Sequence, residues 1–147
     1  MPASKNSVII RRPISEVFAF VADGENAAKW RSEHLLDIAH VSGTGVGTVY
    51  RQGVKGPGGR RIGADYELTA YEPNRRLAFK TIAGPVRPTG EFRFEEADGG
   101  TRVTLSLDAA LSGIKKLLLG GAVQKSMDAE VKALENIEAA MAEPPAR

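Results

Sequence analysis

Two histidines, three tyrosines and no cysteine set the chemistry available to this 147-residue chain. Without thiols there can be no disulfide, thiolate metal site or thiol nucleophile. His34 and His40 would need carboxylates such as Glu33 or Asp37 to complete a metal site, and Glu33-His34 is a neighbour pair without ligand spacing. No metal and no cofactor are therefore expected. A serine nucleophile has no Gly-x-Ser-x-Gly elbow to present it. Gly43-Thr44-Gly45-Val46-Gly47 has the composition of a phosphate-cradling loop. Such a loop must open a helix, so that the helix N-terminal amides face the phosphate. Here it leads into a strand starting at Thr48 and reads as a hairpin turn.

Tyr50, Gln52 and Tyr66 are more informative, because they share the strand phases that should face inward. They place two hydroxyls and an amide among apolar neighbours, and buried polar groups take partners from protein, water or ligand. A buried phenol can also act as a general acid toward an enolisable ketone. Tyr50 and Tyr66 are thus the catalytic candidates, each equally readable as a core residue bonded within the protein. Trp30 is expected as a core or pocket-rim aromatic.

The elements that must hold these residues follow from periodicity. Residues 6–11 read as a short strand, Val17, Phe18, Phe20 and Val21 as a helix ended by Asp23-Gly24, and 26–31 as a second short helix. From there to about residue 110 the pattern is β. Its turns are Gly43–Gly47, Gly56-Pro57-Gly58-Gly59, Pro73-Asn74, Gly84-Pro85 and Asp98-Gly99-Gly100. Ile62, Ala64, Tyr66, Leu68 and Ala70 alternate with Arg61, Gly63, Asp65, Glu67 and Thr69. Phe92 and Phe94, then Val103, Leu105 and Leu107, alternate with polar residues in the same way. One sheet face is wet and the other must be covered. Met127, Val131, Leu134, Ile137 and Met141 form the covering helical stripe, with Asp128 and Lys132 able to pair on its outer side. Residues 112–119 read as a separate shorter helix, set off by Gly120-Gly121, either as a plain break or as a hinged lid; 143–147 form a tail.

The expected fold is α+β in one domain: a curved antiparallel sheet of seven strands around a long C-terminal helix. Seven strands span roughly 30 Å, while one helix covers about 10–12 Å. The sheet must therefore curl, and the space between sheet and helix is the natural place for a ligand. No arginine or lysine falls in the inward strand phases, so that ligand should be small, neutral and mostly apolar. Net charge is +2, with basic doublets scattered through the chain, so no nucleic-acid partner is expected. No apolar run is long enough for a secretory leader or a membrane span. A cytoplasmic monomer or homodimer fits these readings.

The order strand, two short helices, meander, long helix resembles the helix-grip fold of the START-related superfamily, SRPBCC. The likeness is carried by Val17–Asp23 followed by Trp30, by Val46–Gln52, by Tyr71–Phe79 and by Asp98–Thr104. It points to the polyketide cyclase/dehydrase and lipid-transport branch. The resemblance implies a lipid-like or polyketide-like ligand, with cyclisation or dehydration in some members, and it brings no invariant catalytic motif. The expected lining is Trp30, Tyr50, Gln52, Tyr66, Leu68, Phe79, Phe92, Met127 and Val131. A binding protein leads, a tyrosine-assisted cyclase or dehydrase comes second, and an interaction module with a vestigial cavity third.

Overall fold

Alternation at a period of two makes most of this chain pleated sheet, and the sheet's curl places the site. In a computed structural model, residues 3–31, 33–84, 86–111 and 113–142 are described; for Pro57 and residues 113–119 the description covers the backbone alone. The strands are β1 (Ala3–Ile10), β2 (Leu35–Ser42), β3 (Val49–Lys55), β4 (Arg61–Gly63), β5 (Tyr66–Glu72), β6 (Arg76–Thr81), β7 (Thr89–Ala97) and β8 (Gly100–Asp108). Helix α1 (Ile14–Ala22) and the single turn α2 (Ala27–Trp30) lie between β1 and β2, joined by a 3₁₀ turn at Gly24–Asn26. Every pairing is antiparallel, in the order β1-β8-β7-β6-β5-β3-β2, with β4 a short arm on β3. The expected seven-stranded curled sheet is therefore present.

The turns close as their residues dictate. Asp98 and Gly99 both have positive φ (47° and 78°), the conformation that a two-residue hairpin turn requires and Asp-Gly supplies cheaply. The inward phase is buried as expected at Tyr66, Leu68, Phe92, Phe94, Val103, Leu105 and Leu107, and Arg93 on the opposite phase is exposed. Two features depart from simple alternation. Residues 62–70, read as one strand, are divided at Ala64-Asp65 between β4 and β5. A bulge at Thr69 then shifts the register between Leu68↔Phe79 and Ala70↔Ala78. One extra residue moves all that follow to the other face. Ala70 thus leaves the inward row, though it stays buried, and Tyr71, still 37% exposed, comes opposite Leu77 with its ring meeting Phe18 edge-on at 5.4 Å.

The helical cover is a single path. Helix α3 (Gly113–Lys132) runs straight through Gly120-Gly121, continues as a 3₁₀ segment (Ala133–Asn136) and ends in α4 (Ile137–Ala142). The glycine pair, expected to separate two helices, breaks nothing. A side chain there would meet no described neighbour within 4 Å, so close packing against the described residues does not account for the glycines. The lid expected over 112–119 and the tail 143–147 lie, apart from the helical backbone of 113–119, outside the described residues. Met127, Val131, Leu134 and Ile137 are buried in one stripe, and Met141 packs against the same core.

The helix is stitched along β1. Gln124 bonds both backbone groups of Ala3, donating to its C=O (2.6 Å) and accepting from its N–H (3.1 Å). Asn6 donates to the Val131 carbonyl at 3.0 Å, and Arg11 N–H donates to Glu138 at 2.8 Å. Asp128 does not pair with Lys132 as expected; its Oδ1 accepts from Ser4 Oγ at 2.6 Å and Gln124 Nε2 at 2.9 Å. These bonds satisfy part of an edge strand that would otherwise expose its backbone. No helix among the described residues is long and apolar enough to cross a membrane.

Candidate functional site

The inward rows bring aromatic rings from five strands into one run. Tyr50 and Tyr66 are direct cross-strand partners, their rings stacked at 5.2 Å. Phe79 follows at 5.4 Å from Tyr66, Phe92 at 6.3 Å from Phe79, and Phe94 at 6.4 Å from Phe92. His40 meets Tyr50 at one end (5.6 Å) and Phe18 closes on Phe94 at the other (5.1 Å). Trp30, 3% exposed, reaches from α2 to Phe92 at 6.2 Å. Leu68, Met127 and Val131 belong to the same core. The sequence-predicted apolar lining is thus brought together, with Phe79 only partly buried.

The three predicted polar groups differ in what they have left to offer. Tyr50 Oη accepts from Gly24 N–H at 3.0 Å and donates to the Ala22 carbonyl at 3.5 Å. Gln52 Oε1 accepts from Arg31 Nη1 at 3.2 Å, while its Nε2 donates to the Ala64 carbonyl at 2.9 Å. Both are occupied within the protein. Among the described residues the Tyr66 hydroxyl has no hydrogen-bond partner, although it lies against Gly24, where an added Cβ would come within 2.6 Å of it. Gly24 is therefore a close-approach glycine beneath both tyrosines. Burial raises the pKa of both phenols, Tyr66 the more strongly, and this keeps them protonated. They are hydrogen-bond donors; neither is poised as a base.

Sequence reasoning missed four residues beside this lining: Arg31, His34, Ser126 and Glu130. Arg31, at the end of α2, turns its guanidinium inward, with Nε 2.8 Å from Glu130 Oε2 on α3. The two side chains are only 13% and 15% exposed. His34 Nε2 lies 3.5 Å from Glu130 Oε1 and 3.2 Å from Ser126 Oγ. Serine and carboxylate thus address the same ring nitrogen, whereas a Ser-His-acid relay needs one on each. The expectation that no arginine or lysine falls in the inward strand phases does not reach Arg31, which is not on a strand. A buried cation is nevertheless present, because Arg31 enters from a helix end, where strand phase does not apply. Ser126 and Glu130 stand one turn apart beside Met127 and Val131, a signal that periodicity alone reads as the flank of the stripe.

The open depressions lie elsewhere. One of about 780 Å³ spreads over the outer sheet face, where Lys5, Arg76, Lys80, Glu91 and Ser106 line it. A second, of about 560 Å³, sits beside the β1–α1 turn and the β7–β8 hairpin. Phe79 and Leu107 reach the first from the inward rows, but neither depression is lined by Trp30, Tyr50, Gln52 or Tyr66.

Comparison with solved structures finds the same architecture repeatedly. A protein from Thermus thermophilus superposes with TM-score 0.81 at 24% identity, over 95% of this chain and 97% of its own. A START superfamily protein from Mycobacterium smegmatis gives TM-score 0.74 at 13% identity, over 93% and 94%. The di-domain ARO/CYC BexL from the BE-7585A biosynthetic pathway gives 0.66 at 20% identity, over 95% of this chain and 47% of its own. No curated protein matches the sequence. At these identities the likeness is one of fold. The family model described as "Polyketide cyclase / dehydrase and lipid transport" matches residues 1–141, nearly the whole chain, and the protein belongs to that family.

Proposed function

We propose that the chain binds a small, mostly apolar molecule, lipid-like or polyketide-like, between the concave sheet face and α3. The observation that carries this is the run of aromatic rings from Tyr50 to Phe94, with a Tyr66 hydroxyl that has no partner among the described residues set into it. A packed core needs apolar area; it does not need a phenol whose oxygen bonds to no group among the described residues. Burying roughly 200 Å² of apolar ligand surface gains about 5 kcal/mol before ordering costs, which favours broad rather than tight recognition. A neutral fluorescent probe such as N-phenyl-1-naphthylamine should bind with saturation. Leu68→Arg or Val131→Arg should weaken that binding severalfold in protein that retains its circular dichroism spectrum. Binding that survives both substitutions unchanged would place the ligand elsewhere.

Family membership supports a second, enzymatic reading, a cyclase or dehydrase in which a phenol hydrogen-bonds a substrate carbonyl. Tyr66 is then the candidate, since the Tyr50 hydroxyl is already engaged by Gly24 and Ala22. Turnover of a polyketone abolished by Tyr66→Phe, with binding retained, distinguishes enzyme from binder.

A further inference from the structure

We propose that the Arg31–Glu130 pair is a recognition site for a hydroxyl group on an otherwise apolar, ring-bearing, neutral ligand. This rests on the binding function above and specifies the chemistry at the polar end of the same interior. Two buried side-chain atoms, Arg31 Nε and Glu130 Oε1, have no hydrogen-bond partner among the described residues. The 2.8 Å approach of Nε to Glu130 Oε2 brings the charges together without aligning the N–H on the oxygen. A buried donor and a buried acceptor are therefore without a hydrogen bond on the two halves of one ion pair; His34 Nε2 stands 3.5 Å from Glu130 Oε1 without bonding it. Such groups lose their hydration and, beyond the attraction of the paired charges, gain no hydrogen bond in exchange.

A hydroxyl is the simplest group that answers both, because a single oxygen accepts from the guanidinium and donates to the carboxylate. An ether or ketone can only accept, which leaves Glu130 unanswered. A carboxylate would set a second negative charge beside Glu130 in a poorly solvated site. The pair itself is charge-balanced, so a neutral group enters without creating an unpaired ion.

The site is also held in place. Arg31 Nη1 donates to Gln52 Oε1, and Gln52 is tied in turn to the Ala64 carbonyl. Glu130 shares its helix face with Ser126, one turn earlier, whose hydroxyl contacts His34. Gln52 lies two residues from Tyr50 on β3, and Glu130 stands next to the core residue Val131, which puts the pair beside the ring-bearing core. A purely structural role is a weaker account. A buried pair that exists only to hold two elements together gains most from aligned bonds, and apolar residues of similar size often serve at least as well.

The test is competition against N-phenyl-1-naphthylamine by 2-naphthol, 2-methoxynaphthalene and 2-naphthoate, three molecules with one ring system and different oxygens. Single substitutions strand a buried charge, so the informative variant is the double Arg31→Met/Glu130→Leu, which removes both. With wild-type protein 2-naphthol should compete about tenfold better than the ether, the ratio expected for one hydrogen-bonding pair to charged groups. The acid should be the poorest competitor. The double variant should still bind the fluorescent probe, with alcohol and ether within about twofold of each other. Equal competition by alcohol and ether in wild type, or a preference that the double variant keeps, overturns the hydroxyl site and leaves interior binding standing. Strongest competition by the acid overturns it in favour of an anion site. Failure of the probe and all three competitors to bind overturns both this inference and the binding function beneath it.

Discussion

Tyr50 and Tyr66 are stacked neighbours of the same type, yet their hydroxyls do opposite work. The Tyr50 oxygen caps the buried Gly24 N–H, while the Tyr66 oxygen bonds to no described group. Removing an acceptor from a buried amide costs its full desolvation, about 1–3 kcal/mol. Tyr50→Phe should therefore lower the urea-unfolding free energy by that amount. Tyr66→Phe should change it by less than about 0.5 kcal/mol, since no protein hydrogen bond is lost. Equal losses for the two variants would mean that Tyr66 has a structural partner after all, and would remove the main support for a ligand-facing phenol.

At the scale of elements, the C-terminal helix is the part most at odds with its own sequence. A glycine pair costs roughly 1 kcal/mol per residue against alanine inside a helix, yet α3 passes through Gly120-Gly121 unbroken. Backbone bonds on both sides and the buried stripe from Met127 onward outweigh the local preference. No described neighbour approaches either glycine closely, so the double substitution Gly120→Ala/Gly121→Ala meets no described side chain. It should raise stability by about 1–2 kcal/mol in thermal or urea unfolding. A destabilised double variant would show that the helix needs to bend there. The same variant should slow probe uptake if α3 yields on ligand entry, because a stiffer helix opens less often.

For the molecule as a whole, acid stability follows from carboxylates distributed over its surface. Asp37 is lowered in pKa by the paired hydrogen bonds of Arg61, and Asp128 by Ser4 and Gln124. For Glu91 burial pulls upward, but bonds from Arg76 and Arg93 outweigh it and the net shift is downward. A carboxyl lowered on folding contributes stability that is complete above its unfolded value. That contribution is lost as pH falls through the folded value. Urea midpoints should therefore hold steady from neutral pH to about 5 and decline below about 4. Added salt should weaken the Asp37 and Glu91 contributions, which depend on arginines. It should leave Asp128, held by neutral donors, largely intact. A midpoint that rises on acidification would contradict this account.

What sequence alone determined was whatever depends on local period and turn chemistry. Alternation located the inward faces of β7 and β8, Asp98-Gly99 located a hairpin, and the steps from Met127 to Ile137 located the stripe that covers them. Each is decided within a few residues along the chain, so each is written in it. The Thr69 bulge depends on how β5 meets β6, and no local pattern announces it. Whether Tyr50, Gln52 or Tyr66 keeps a free polar group depends on backbone from α1 and on Ala64, brought close only by folding. Arg31 and Glu130 lie 99 positions apart, and each by itself reads as a solvated charge. Only the curl of the sheet against α3 removes enough water to make them a buried pair, because desolvation belongs to the assembled structure and not to any segment of it.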